Sequence, residues 1–288
     1  MGNKAPRTLI EVNGRELCIR QRGAGPAVVL EAGGAGNGSG AVWGEFADRL
    51  AASATVLTYD RAGSGRSDGP QHRTVAAMAD DLAGLLRAIG TSTPVVVVGW
   101  SSGGLVAQLF AARYPELVSG VVLADPSVPL PDTKLPAGVR LAISGVQTRV
   151  FAIAARLGFF RTARGERLIE RMAGPEISPA GLRFAKRQWN DWRELWRSAT
   201  VLRRLTSCTR EASAALRANP PDVPMRLVVP QRRPGLPSEY RAQLDATHAE
   251  LVRLFPRGEL VTAADASHAL PLDRPQLLAG IVLDVLRA

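Results

Sequence analysis

The stretch VVVVGWSSGG, residues 95–104, constrains the fold more than any other. Four consecutive valines fit a strand buried on both faces, as in a parallel sheet. The run stops at Gly99-Trp100-Ser101-Ser102-Gly103-Gly104, and SGGLVAQLFAARY continues with helical spacing. A chain that passes from buried strand to helix in so few residues must bend sharply. Glycines two residues before and after the serine remove the Cβ atoms that would collide as strand and helix close up. Ser101 is left at the tip of a strained turn with a helix N-terminus beside it, where the N–H of Ser102 can donate to developing negative charge. The pattern G-x-S-x-G alone is weak. Gly65-Arg66-Ser67-Asp68-Gly69 also fits it, but Pro70 follows and no helix begins, so that copy is a turn.

The surroundings of the valine run give its architectural context. Short apolar runs, TLIEV, ELCIR, AVVLEA, TVLTYD, VVVVGW and GVVLAD, occupy residues 8–125, and helical segments lie around 42–50, 74–89 and 102–114. Such alternation implies right-handed crossovers and a mostly parallel sheet. The first two runs, joined by Asn13-Gly14, read as an antiparallel hairpin on the edge. After Asp125 the rhythm breaks: a proline-rich stretch, 126–137, leads into a long helical region to about 218 with no convincing strand. Strand and helix then return with MRLVVP (225–230), a helix at 238–255, ELVTA (259–263) and a final helix at 274–287. One α/β domain interrupted by a helical insert is expected, and 288 residues suffice for it.

Composition excludes several classes. Cys18 and Cys208 are the only cysteines, so there is neither a disulfide framework nor a clustered metal-ligand set. No stretch reaches the roughly 18 apolar residues of a membrane span, and MGNKAPRTLIEVNG has no apolar leader core. The expectation is a cytoplasmic protein with no cofactor and no membrane partner. The net charge of +10 is unevenly placed: residues 126–220 hold 17 Lys/Arg against 7 Asp/Glu, and the remainder holds 19 of each. Those arginines are interleaved with apolar residues at helical spacing and belong to no nucleic-acid module, so they read as a solvated helical surface.

A serine hydroxyl needs a base, and there are three histidines to choose from. His268, in ADASHALPLDRPQLL, follows the ELVTA strand and comes before the last helix, which puts it on the same sheet edge as Ser101. His72 lies in a polar loop, and His248 falls within the 238–255 helix, facing solvent. The base in turn needs a carboxylate to fix its tautomer. Asp125, at the end of GVVLAD, fits best. The loop after MRLVVP offers no acid before Glu239, and both Glu239 and Asp245 fall on the following helix. The second donor for an oxyanion belongs in the loop GGAGNGSG, residues 33–40, with Gly34 the best candidate. That loop lacks a Walker Lys-Ser/Thr and the spacing of a dinucleotide fingerprint, which argues against a nucleotide site.

With these residues placed, the chain resembles the α/β-hydrolase superfamily along essentially its whole length. VVLEAGGAG, YDRAGSGRSD, GWSSGG and SHALPLDRP carry the resemblance. It implies an eight-stranded, mostly parallel sheet flanked by helices, with core 1–127 and 221–288 and a helical cap at 128–220. It also maps a triad onto Ser101, Asp125 and His268, with the N–H groups of Gly34 and Ser102 as oxyanion hole. Two departures stand out. Ala32-Gly33 replaces the frequent His-Gly pair, and the acid sits after the sixth strand, similar to the haloalkane dehalogenase branch. A serine nucleophile argues against dehalogenase or epoxide hydrolase chemistry.

Trp189, Trp192 and Trp196 recur at i, i+3, i+7, one face of a helix, ordinarily a packing stripe. The alternative is that part of it, with Phe151, Phe159 and Phe160, lines an apolar pocket. Trp100, Phe151, Phe159, Trp189 and Trp192 are therefore the substrate-binding candidates. The activity expected is hydrolysis of a carboxylic ester, or of a lactone or amide, of a small, largely apolar molecule. Rival uses of the same triad are acyl transfer, perhydrolase or haloperoxidase-type, lyase or cyclase chemistry, and C–C bond cleavage. A ligand receptor on the same scaffold is a third reading.

Overall fold

The structure is a computed structural model that describes residues 6–36, 42–130, 135–174, 177–231 and 238–288. Its strands and helices follow in the order β1 (Thr8–Val12), β2 (Arg15–Arg22), β3 (Ala27–Glu31), α1 (Gly44–Leu50), β4 (Thr55–Tyr59), α2 (Val75–Ala88), β5 (Val95–Trp100), α3 (Gly103–Arg113) and β6 (Val118–Ala124). The insert follows as α4 (Ala137–Arg156), α5 (Ala163–Ala173), α6 (Pro179–Asn190) and α7 (Trp192–Ala218). The chain closes with β7 (Pro224–Pro230), α8 (Ser238–Arg253), β8 (Arg257–Ala263), α9 (Leu270–Asp273) and α10 (Pro275–Arg287).

Eight strands form one sheet in the order β1-β2-β4-β3-β5-β6-β7-β8. β1–β2 and β2–β4 pair antiparallel, and the other pairs are parallel. Asn13 and Gly14 both take positive φ, 51° and 75°, the backbone that a two-residue hairpin turn demands. The chain leaves β3 for β4 on one side and later enters β5 on the other. The strand order thus reverses between β3 and β5, and a crevice opens at their carboxyl ends.

Strand residues alternate between two buried clusters. Val29, Val97, Val121 and Leu123 face α2 and α3 on one side of the sheet. Val28, Leu30, Val96, Val98 and Val122 face α1 and α10 on the other. Helices cover both faces, so the strands read as continuous apolar runs.

The insert is built differently. Ala155, Phe160 and Ile169 form a small buried centre, with Phe151, Trp189, Trp192 and Leu195 half-buried around it. The far half of α7 joins the main core instead: Leu205, Cys208, Ala212 and Leu216 share the cluster of α2 and α3. No helix among the described residues is long and apolar enough to cross a membrane. Cys18 and Cys208 are both buried, and neither is in a disulfide.

His248 does not face solvent as the sequence suggested. It is 1% exposed on α8. Leu244, His248 and Leu251, at i, i+4 and i+7, share the buried face of that helix.

Candidate active site

Ser101 follows β5 directly, on left-handed backbone with φ 55°. A non-glycine residue persists there only where its surroundings over-determine it. Here its N–H donates to the Ala124 carbonyl at 3.2 Å, and its own carbonyl accepts from the N–H groups of Ser127 (2.9 Å) and Gly104 (3.0 Å). The neighbouring glycines meet a packing demand. A Cβ on Gly99 would stand 2.7 Å from the Gly104 Cα, and one on Gly103 would stand 2.2 Å from the Glu31 carbonyl oxygen. Asp125, just past β6, is likewise left-handed with φ 42°, and its N–H donates to the Val228 carbonyl at 2.8 Å. Asparagine and aspartate tolerate that region better than most residues.

His268 lies in the loop between β8 and α9. Its Nε2 is 3.1 Å from Ser101 Oγ, and its Nδ1 is 2.6 Å from Asp125 Oδ2. Strand ends 143 residues or more away in sequence thus bring Ser101, His268 and Asp125 into one hydrogen-bonded chain. Nδ1–H donating to the carboxylate leaves Nε2 free to accept from the serine hydroxyl. Glu239 and Asp245 lie on α8 instead. Two contacts fix the histidine loop. Trp100 Nε1–H donates to the His268 carbonyl at 2.7 Å, with the two rings 5.5 Å apart. Asp273 accepts from the Ser267 N–H (3.0 Å) and hydroxyl (2.6 Å).

Gly34 lies beside this chain with φ 59°. Its carbonyl accepts from Arg61 Nη2 at 3.0 Å and from Ser102 Oγ at 3.1 Å. Ser102 occupies the N-cap position of α3, with no side-chain capping hydrogen bond. Behind the loop, Glu31 is wholly buried, accepts from the Tyr59 hydroxyl and pairs with Arg61 at 3.5 Å. Burial pushes the Glu31 carboxyl up to about 7, against the opposing pull of Arg61. Residues 37–40 of the glycine-rich loop lie outside the described residues.

Two pockets lie beside the neighbours of Ser101. One runs past Ala35 and Ser102 between Val75, Met78, Leu105, Val106, Val201 and Leu205, with His72 and Arg204 among its polar lining. His72 stands 2.6 Å from Asp81 there, and Arg15 stands 3.2 Å from the same carboxylate. The second is lined by Ala32, Gly33, Val42 and Trp100 on one part and by Phe184, Arg187, Gln188, Asp191 and Glu194 of the insert on the other. Gly33 borders Ser101: a Cβ placed on it would be 2.8 Å from the Ser101 Cβ. Among the described residues, no three His, Cys, Asp or Glu side chains come together in a way that could hold a metal ion.

Of the aromatic candidates, Trp100 lines the second pocket. Phe151, Trp189 and Trp192 pack in the insert's own cluster, where Phe160 is fully buried, while Phe159 is 38% exposed against Phe160. None of these residues lines either pocket beside Ser101. The tryptophan stripe also does not share one helix. Trp189 closes α6 and Trp192 opens α7, because Asp191 caps the second helix by accepting from the N–H groups of Arg193 and Glu194 at 3.1 Å. Trp196 is 43% exposed beneath the Arg149 guanidinium, 5.0 Å away.

Sequence reasoning missed Phe184, Arg61 and Glu194. An Asp followed three residues later by Glu is a readable helix start, and it would have split the stripe and flagged Glu194's position. That carboxylate is 6% exposed, and its Oε2 has no hydrogen-bond partner among the described residues. Burial pushes it up to about 7, although Arg197 pulls the other way.

Comparison with known proteins supplies the wider frame. A family model described as the alpha/beta hydrolase family matches residues 28–281. A 2-(acetamidomethylene)succinate hydrolase of Mesorhizobium japonicum is 33% identical over 117 residues, 40% of this chain and 41% of that protein. A proline iminopeptidase of Pestalotiopsis fici is 32% identical over 117 residues, 40% and 42% of the two chains. The match thus spans less than half the length of these curated relatives. Among solved structures, a thermophilic esterase from Thermogutta terrifontis superposes with TM-score 0.66 at 24% identity, covering 98% of both chains. An enol-lactonase from Burkholderia xenovorans gives 0.65 at 21%, covering 98% of this chain and all of that one. At those identities the likeness is one of fold.

Proposed function

The chain belongs to the alpha/beta hydrolase family and is a hydrolytic enzyme, and from that premise we propose that it is a serine hydrolase cleaving a carboxylic ester, lactone or amide of a small, largely apolar molecule. The observation that carries this reading is the hydrogen-bonded chain from Ser101 Oγ through His268 to Asp125, 3.1 and 2.6 Å. Ser101 Oγ attacks the substrate carbonyl carbon as its proton passes to His268 Nε2. The carbonyl electrons move onto oxygen, and the N–H groups of Gly34 and Ser102 stabilise that oxyanion, each worth about 10²–10³ in rate. As the oxyanion collapses, the leaving oxygen or nitrogen takes the proton from His268, and an acyl-enzyme remains on Ser101. Water then gives its proton to the same imidazole and attacks the acyl carbon, which releases the acid and restores the hydroxyl. Asp125 holds the imidazole in the tautomer that accepts at Nε2 and stabilises its charged form.

The apolar pocket past Ser102 supports a largely apolar substrate portion. Residues 128–220 act as the cap over this site: Glu194 on α7 and Phe184 on α6 both border the pocket beside Gly33. The test is a panel of p-nitrophenyl esters of graded chain length, with lactones and amides, run on wild type and Ser101→Ala. Wild type should turn over a subset and label with a fluorophosphonate at residue 101. The variant should fall by about 10³-fold or more and lose the label. Labelling at another residue, or undiminished turnover by Ser101→Ala, would refute the proposal.

A further inference from the structure

Glu194 is at odds with its surroundings. It sits in the first turns of α7, nine-tenths buried, beside a pocket that Trp100, Phe184 and Gly33 also line. A buried carboxylate oxygen left without a partner is costly, and native structures rarely keep one without a use. Its N-cap neighbour Asp191 is occupied, taking two helix N–H groups, and Arg187 at the rim of the same pocket is exposed. Oε2 of Glu194 is therefore a buried, unpartnered acceptor in the pocket, which Gly33, packed against Ser101, also lines.

We propose that Glu194 is a specificity-determining residue of this pocket, accepting a hydrogen bond from a hydroxyl or amide N–H on the substrate portion next to the scissile carbonyl. The inference rests on Ser101 being the nucleophile. A neutral donor suits the site better than an ammonium group, because Arg187 lines the pocket and Arg197 and Arg61 act on the same carboxylate, offset in part by Asp191 and Asp60. The two pockets then divide the substrate. The apolar one takes a hydrocarbon group past Ser102, and the other takes a short chain with one donor, laid against Trp100 and Phe184, whose rings meet edge to face at 6.1 Å.

Matched substrates that exchange one donor for a methylene or methyl test this. p-Nitrophenyl N-acetylglycinate is compared with p-nitrophenyl 4-oxopentanoate, and the 3-hydroxybutyrate with the 3-methylbutyrate, on the purified full chain. For the wild type, kcat/KM should favour the donor-bearing member by about tenfold or more, since the site otherwise keeps an unpaired oxygen. In Glu194→Leu the ratio should fall to near one. Glu194→Gln, which retains an acceptor oxygen, should keep part of it. The ratio cancels the contribution of His268, so its rise between pH 6 and 8 in wild type, absent in Glu194→Gln, reports ionisation of Glu194 itself. A purely structural role would leave the ratio unmoved. Fluorophosphonate labelling of wild type separates the two levels. With labelling at Ser101 intact, no donor preference, or a preference that survives Glu194→Leu, overturns the Glu194 assignment alone. Absence of labelling overturns the nucleophile and this inference together.

Discussion

Ser101 and Asp125 stand at the ends of neighbouring strands on left-handed backbone, held there by N–H bonds to the Ala124 and Val228 carbonyls and by the N–H groups of Ser127 and Gly104 on the Ser101 carbonyl. The outer part of the insert, around α5 and α6, packs on a small cluster of three buried side chains, with Phe151, Trp189 and Trp192 only half covered. The difference is one of tolerance. At the sheet edge a single added methyl would collide with backbone, whereas the insert's aromatics pack among side chains that can shift. Groups that must be placed within about half an ångström belong on the first kind of support, and groups that sort substrates can sit on the second. That is the division proposed here: bond-breaking residues on the strand ends, selection by Glu194 and Phe184 on the insert.

The largest expected effect comes from Asp125→Asn. The amide keeps the backbone conformation but favours the wrong imidazole tautomer, so kcat should fall by about 10⁴-fold with little loss of stability. Ester turnover measured beside a thermal melt checks both halves. A large drop in melting temperature with modest loss of turnover would mean that Asp125 serves the fold and not the chemistry. Phe160→Ala strikes the other region. Removing a ring with no exposure should cost about 3–5 kcal/mol, felt mainly as loosening of α5 and α6 in hydrogen exchange and as a raised KM. If it slows fluorophosphonate labelling as severely as Asp125→Asn does, the two regions are not separable.

The smallest effect is a pH slope. Glu31 holds its proton up to about 7 when folded, against an ordinary value of 4.5, so the folded state binds more protons between those limits. The contribution of Glu31 should be greatest below about pH 4.5, decline by at most ~1.4 kcal/mol per unit as pH rises toward 7, and level off above, with Glu194 adding a slope of the same sign over the same interval. Glu31→Gln should make that segment shallower in urea titrations at pH 5, 6, 7 and 8. A wild-type curve that rises over the same interval would remove Glu31 from the account.

Much of the sheet edge was legible because its signals are local. Valine runs mark doubly covered strands, paired glycines mark the bend at Ser101, and the missing acid after MRLVVP points to Asp125. The insert was less legible because its pocket-lining groups come from separate helices. Phe184 and Glu194 meet over Trp100 only through packing of α6 and α7, which no spacing rule encodes. The tryptophan spacing is broken by a local signal, the capping Asp191, because an N-cap starts a new helix whatever the periodicity around it. His248 is buried despite its polarity, with the leucines at 244 and 251 that share its face.

Helix α7 runs 27 residues, about 40 Å, from the pocket lining at Glu194 to anchorage in the main core at Leu216. One end of this beam is moored and the other overhangs the chemistry. Exchanges in its first two turns can therefore exchange one clientele of molecules for another while the moored end keeps the foundations intact, and directed evolution of new selectivity would do well to begin there.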